Sequence, residues 1–129
     1  MTLDPLTLAR RAAEGQHDAA VRAWVSEACR RILAGDPPDQ AFRLTSGDRL
    51  RMRNAALLDA ARLLDTGETW ATAGRVATAI HRFEARILPT LQRNPEHPLD
   101  EIDQALQRAF ATGCRIPGTQ RRLYDLFSD

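Results

Sequence analysis

The sequence predicts an all-α fold, a compact bundle of five to six helices forming a single helical domain over residues 1–129. Three observations carry this. Apolar residues recur at three- and four-residue spacing in segment after segment. Short Gly, Pro and Asp punctuation separates those segments. No run alternates apolar with polar residues, and no β-branched cluster reads as a strand. A chain of 129 residues can bury roughly two-thirds of its extended surface and needs no metal or disulfide to hold a core.

The first helix is predicted from Pro5 to Glu14. Asp4 suits the N-cap, Pro5 the first helical position, and Gly15 the end. Leu6, Ala9 and Ala13 share one face. The second helix runs from Asp18 to about Ala34, with an apolar stripe of Val21, Trp24, Val25, Ala28, Cys29, Ile32 and Leu33. That stripe predicts a buried Cys29 thiol. Asp36-Pro37-Pro38-Asp39 breaks the chain, and Phe42 and Leu44 follow on a short turn that plugs the core. A third helix covers about Gly47 to Leu64 after a Thr45 or Ser46 cap. Its buried face is Leu50, Asn54, Leu57, Leu58, Ala61 and Leu64.

The fourth and longest helix spans about 69–88 and is placed at the centre. Ala73, Val76, Ile80, Phe83 and Ile87 form a coiled-coil-like seam along it. Pro89 lacks a backbone donor and clashes with the preceding turn, so a kink or stop is expected near Ile87. After the break Asn94-Pro95-Glu96-His97-Pro98, a fifth helix covers about Leu99 to Ala111. It buries Leu99, Ile102, Leu106, Ala109 and Phe110, and its first turn carries Asp100, Glu101 and Asp103. A short last helix, opened by Pro117, buries Ile116, Leu123, Leu126 and Phe127.

Chemistry-bearing sets are absent from the sequence. His81 and Glu84 lie three apart, but a bundle di-metal site needs a second such pair and further inward carboxylates. His97, beside Glu96 and Asp100, falls in a loop. Cys29 and Cys114 have neither zinc nor disulfide-framework spacing. The glycines form no phosphate-binding loop and the serines no nucleophile motif. No catalytic residue, cofactor or metal site is therefore predicted, and the chain is read as a non-enzyme. Trp24 and Trp70 are read as core packing. The N-terminal stretch lacks an apolar run of signal-peptide length, and no segment approaches the ~20 apolar residues that cross a bilayer. These features predict a cytoplasmic protein with reduced thiols and no membrane association.

All eighteen cationic residues are arginine, against seventeen carboxylates. Codon usage in a GC-rich bacterial or phage genome accounts for the bias. Its physical consequence is that every cation is a planar fork suited to carboxylate or phosphate. Arg75, Arg82, Arg86 and Arg93 project within about 20° of one line on a regular helix. Arg49, Arg51 and Arg53 cluster early in the third helix, and Arg115, Arg121 and Arg122 flank the last. The segment from Leu106 to Phe127 has the gross layout of a helix-turn-helix. It departs from that pattern at Thr119 and Arg122, polar where apolar residues belong.

The expected function is a non-enzymatic helical interaction or adaptor module of a bacterial or phage assembly, with a protein partner or a second copy of itself. The alternative is nucleic-acid binding. It would use the arginine stripe and the C-terminal segment, with Arg75, Arg82, Arg86, Arg93, Arg115, Arg121 and Arg122 as phosphate or acidic-partner contacts.

Overall fold

The computed structural model describes residues 3–128, and no strand occurs among them. The all-α prediction holds. Contacts gather into two compact units, Met1–Arg51 and Met52–Asp129.

In the first unit, α1 (Pro5–Ala13) starts on Asp4, whose carboxylate accepts the Thr7 N–H at 2.8 Å. The second helix, α2 (Ala19–Leu33), starts in the same way on Asp18, which accepts the Val21 N–H at 3.0 Å. Each cap satisfies a helix-end donor that has no partner within its helix. Both α1 and the one-turn α3 (Pro38–Ala41) pack on α2. The segment expected to be a plain break forms the helical turn α3 itself, and Phe42 follows it, half-buried. Its ring meets Trp24 edge-on at 5.0 Å, and its carbonyl accepts the Trp24 indole N–H at 3.2 Å. Arg43 then adopts a left-handed φ of 58°, a strained position without glycine, so that the Leu44 N–H can close onto the Asp39 carbonyl at 2.8 Å.

Two burial predictions fail here. On α1 the buried residue is Leu8, while Leu6 and Ala9 are half-buried and Ala13 is exposed. Leu6 and Leu8 point about 160° apart on a helix, and nine residues are too few for periodicity to choose between them. On α2 the stripe is buried only at Val21 and Ala28, with Trp24 and Ile32 half-buried. Cys29 is exposed, Val25 is 36% exposed and Leu33 is 88% exposed. Steps of four advance about 40° around a helix. The row Val21, Val25, Cys29, Leu33 therefore winds off the buried line.

The next helix, α4 (Ser46–Leu63), crosses the boundary between the units. Thr45 and Asp48 cap it reciprocally. The Asp48 N–H donates to the Thr45 hydroxyl oxygen at 3.1 Å, and the Asp48 carboxylate accepts from the Thr45 N–H at 3.2 Å. Leu50, predicted buried, is 43% exposed.

The second unit holds a contiguous core. The later part of α4 contributes Ala56, Leu57 and Ala60, and α5 (Thr69–Arg82) contributes Ala73, Val76 and Ile80. Ala77, Phe83, Leu91, Ala105, Leu106, Ala109 and Leu123 complete it. Fully burying one leucine of this kind stabilises a fold by about 1.5–3 kcal/mol. The predicted seam is present: Ala73, Val76, Ile80 and Phe83 are all at most 3% exposed, and Ile87 is half-buried. The alanines Ala56 and Ala60 lie deeper than Asn54, Leu58, Ala61 and Leu64, which pack partly. Trp70 is 44% exposed rather than core, its ring meeting Tyr124 edge-on at 5.5 Å.

Pro89 neither stops the helix nor acts at Ile87 alone. Residues Phe83–Ile87 form a π turn, and α6 (Leu88–Arg93) continues beyond it. The Leu88 N–H donates five residues back, to Phe83. Shifting the ladder by one residue accommodates the missing proline donor without ending the helix. Next, α7 (Glu101–Ala111) begins on an Asp100 cap, whose carboxylate accepts the Asp103 N–H at 2.8 Å. The last helix, α8 (Gln120–Phe127), begins on a Thr119 cap rather than at Pro117, and packs along α5. Leu123 is its fully buried residue, and Ile116, Leu126 and Phe127 pack partly against the core.

Candidate functional site

The arginines separate into those with a carboxylate partner and those without. Asp59 on α4 takes both Arg62, at 2.9 Å, and Arg108 of α7, at 3.2 Å. Arg121 meets Asp125 one turn later on α8 at 3.4 Å. Among the described residues, Arg75, Arg82, Arg86, Arg93, Arg115 and Arg122 take part in no ion pair. The expected trio Arg115, Arg121 and Arg122 is thus divided, with Arg121 committed to its own helix.

Nor is the predicted stripe one line. Arg75 and Arg82 lie on the regular part of α5, seven residues and about 10.5 Å apart along the axis. Arg86 lies inside the π turn and Arg93 beyond it. One extra residue in a turn rotates everything after it by about 100°, so Arg93 leaves the line. Proline chemistry ahead of the stripe's end was visible in the sequence, but the sequence pattern did not distinguish a π turn from a kink.

What Arg75 and Arg82 do share is a groove. An open depression of about 420 Å³ is lined by Ala71, Gly74, Thr78 and Ala79 of α5, by Leu64 and Ile102, and by these two arginines. Small side chains on α5 keep its backbone close to the surface, and Leu64 and Ile102 supply a bulky apolar wall. Arg75 reaches the Leu64 carbonyl at 3.4 Å, a long hydrogen bond that leaves its charge unneutralised. Arg82 acts electrostatically on Asp103, a buried residue in the first turn of α7. Burial pushes the Asp103 carboxyl above its usual range and Asp100 pushes it the same way, while Arg82 and His97 oppose them. The sequence marked Asp103 only as a dipole complement.

A second depression, of about 300 Å³, is lined by Arg53, Arg115, Pro117, Arg122 and Leu126. Arg53 was noted in the sequence only as one of three early arginines of its helix. Contact with Arg115, sixty-two residues later, could not be read from spacing.

The remaining candidates have structural partners. The His81 Nε2–H donates to the Gly118 carbonyl at 2.8 Å, which ties α5 to the segment before α8. His97 is half-buried in its loop, its N–H donating to the Asn94 carbonyl at 3.1 Å. No group of three or more His, Cys, Asp or Glu able to hold a metal occurs among the described residues. The helix-turn-helix reading is corrected. The connection between α7 and α8 covers residues 112–119, whereas that motif needs a turn of about three to four residues. No described helix is long and apolar enough to cross a membrane. No protein-family model, curated protein or solved structure matches the chain.

Proposed function

We propose that the chain is a non-enzymatic helical adaptor of a bacterial or phage assembly, and that it holds a protein partner in the α5 groove. The observation that carries this is the groove's composition, an apolar, small-residue floor with two arginines that lack carboxylate partners among the described residues. Charge complementarity selects the occupant, an acidic amphipathic helix. Small residues on one helix allow another to approach closely, and acids seven residues apart on the partner would span Arg75 and Arg82. The nucleic-acid alternative draws less support from α5, because the π turn takes Arg93 out of register with Arg75 and Arg82.

The test uses two synthetic helical peptides with the same apolar face. One carries Glu at two positions seven apart, and the other carries Lys there. Titration by NMR should move the Ala71, Thr78, Ala79 and Ile102 signals with the Glu peptide alone. The double charge reversal R75E/R82E should weaken binding about tenfold, equivalent to ~1.4 kcal/mol. Equal binding of both peptides, or of neither, overturns the reading. Light scattering on the unbound protein tests the self-associating form. A concentration-dependent dimer broken by R75E/R82E would make a second copy the occupant.

A further inference from the structure

The depression around Arg53, Arg115 and Arg122 is a different kind of surface from the α5 groove. Only two of its five lining residues are apolar, Pro117 and Leu126, and the other three are cationic. Arg53 is held in place. Its Nη1 donates to the Arg115 carbonyl at 2.8 Å, and its Nε and Nη2 donate to the Asn54 side-chain oxygen at 3.0 and 2.7 Å. All of these acceptors are neutral, so the guanidinium is oriented and its charge is left intact. Arg122 comes from the first turn of α8, and Arg115 from the segment before it.

Charge is not in excess here. Residues 52–129 contain ten arginines and ten carboxylates. Asp59 and Asp125 are engaged by Arg62, Arg108 and Arg121, and no carboxylate among the described residues pairs with the three arginines of the depression. Like charges gathered at one spot repel, and an anion between them turns that repulsion into attraction. A guanidinium presents its donors as a planar fork that matches the oxygens of a phosphate two at a time. We infer that this depression binds a phosphate group, through Arg53, Arg115 and Arg122. The phosphate belongs either to a nucleic-acid backbone or to a small phosphorylated molecule. Both sources present the same tetrahedral oxyanion.

The experiment uses the full chain and two probes, inorganic pyrophosphate and a short fluorescent single-stranded DNA. Pyrophosphate should shift the Arg53 Nε–H signal saturably, where sodium chloride of matched ionic strength does not. The exposed residue Arg122 is the first to change, because Arg53 also holds the Arg115 carbonyl. The variant R122Q should weaken pyrophosphate binding roughly tenfold and stay folded by circular dichroism, and R115Q/R122Q should abolish it. R22Q/R30Q removes two exposed arginines that do not line the depression, and should bind like the parent. DNA binding that falls steeply with salt and disappears in R122Q assigns the phosphate to a nucleic-acid backbone. Pyrophosphate binding without DNA binding assigns it to a small molecule. The inference is overturned if neither probe saturates, if R115Q/R122Q binds as tightly as the parent, or if R22Q/R30Q loses as much affinity as R115Q/R122Q. None of these outcomes bears on the α5 groove, which reads out through different residues.

Discussion

Leu57 and Leu33 both belong to apolar stripes of long helices, yet Leu57 is 0% exposed and Leu33 is 88% exposed. The difference is between the two units. In the second, stripes from α4, α5, α7 and α8 converge on one core. The first unit is smaller, and among the described residues its buried apolar side chains are Leu8, Val21, Ala28 and Ala41. The row Val25, Cys29, Leu33 of α2 remains open. Periodicity thus establishes that a helix has an apolar face, and a second element must still arrive to cover it. A small unit has fewer elements to offer, because its surface is large for its volume.

Truncating each leucine sharpens this contrast most. Leu57→Ala should cost about 2–5 kcal/mol through lost burial and the cavity left behind. Leu33→Ala should stay within about 0.5 kcal/mol of the parent, as exposed substitutions do. Urea unfolding followed by circular dichroism measures both. A large loss at Leu33 would mean that its side chain is covered in solution, by a second copy above all, and the loss would then depend on protein concentration.

Hydrogen exchange should show the same division without mutation. Amides of α5 and α7 should exchange only through the largest openings, with protection well over tenfold greater than that of α1 and α2. Uniform protection across both units would break the comparison and show that they open together. Thiol labelling offers a smaller but simpler check. Cys29 is exposed and Cys114 half-buried, so in C114S the remaining thiol should react several-fold faster than the one in C29S.

These differences mark where the sequence was legible. Two caps were readable, because Asp4 and Thr45 precede apolar-periodic runs, and each accepts from the expected turn. Asp100, read as part of the first turn, is itself the cap of α7. The α5 seam was readable because it keeps its spacing over four turns. The exposed half of α2 was not, since exposure depends on neighbours that periodicity does not describe. The candidate sites were only half legible. Arginine spacing identified Arg75 and Arg82, but the groove between them needs Leu64 and Ile102 from other elements. Arg53 meets Arg115 only through the fold, and the π turn that displaces Arg93 depends on how the chain accommodates Pro89.

Acid should act on the two units with opposite signs, through carboxylates that share a place at helix starts. In the first unit, the Val21 N–H and then Arg11 hold the Asp18 carboxyl below its ordinary value of 3.8. The Thr45 hydroxyl, followed by Arg51, does the same for Asp48. Both groups stabilise the fold in their charged form. Their contribution is present above 3.8 and is lost as pH falls through the depressed folded values. In the second unit, burial and then Asp100 raise the Asp103 carboxyl above 3.8. Its contribution is therefore complete below 3.8 and is lost as pH rises through the raised folded value. Asparagine substitutions isolate the charge: at Asp18, Asn caps a helix about as well as Asp does, and at Asp103, which is not a cap, Asn keeps the size of the side chain. Asp18→Asn should lower stability at neutral pH and match the parent in strong acid. Asp103→Asn should raise stability at neutral pH, with the gain disappearing below 3.8. Urea midpoints collected from neutral pH into strong acid measure both. A loss of stability in Asp103→Asn at neutral pH would show that attraction from Arg82 outweighs burial. That outcome would also tie Arg82 into the fold rather than leave it free for a partner in the α5 groove.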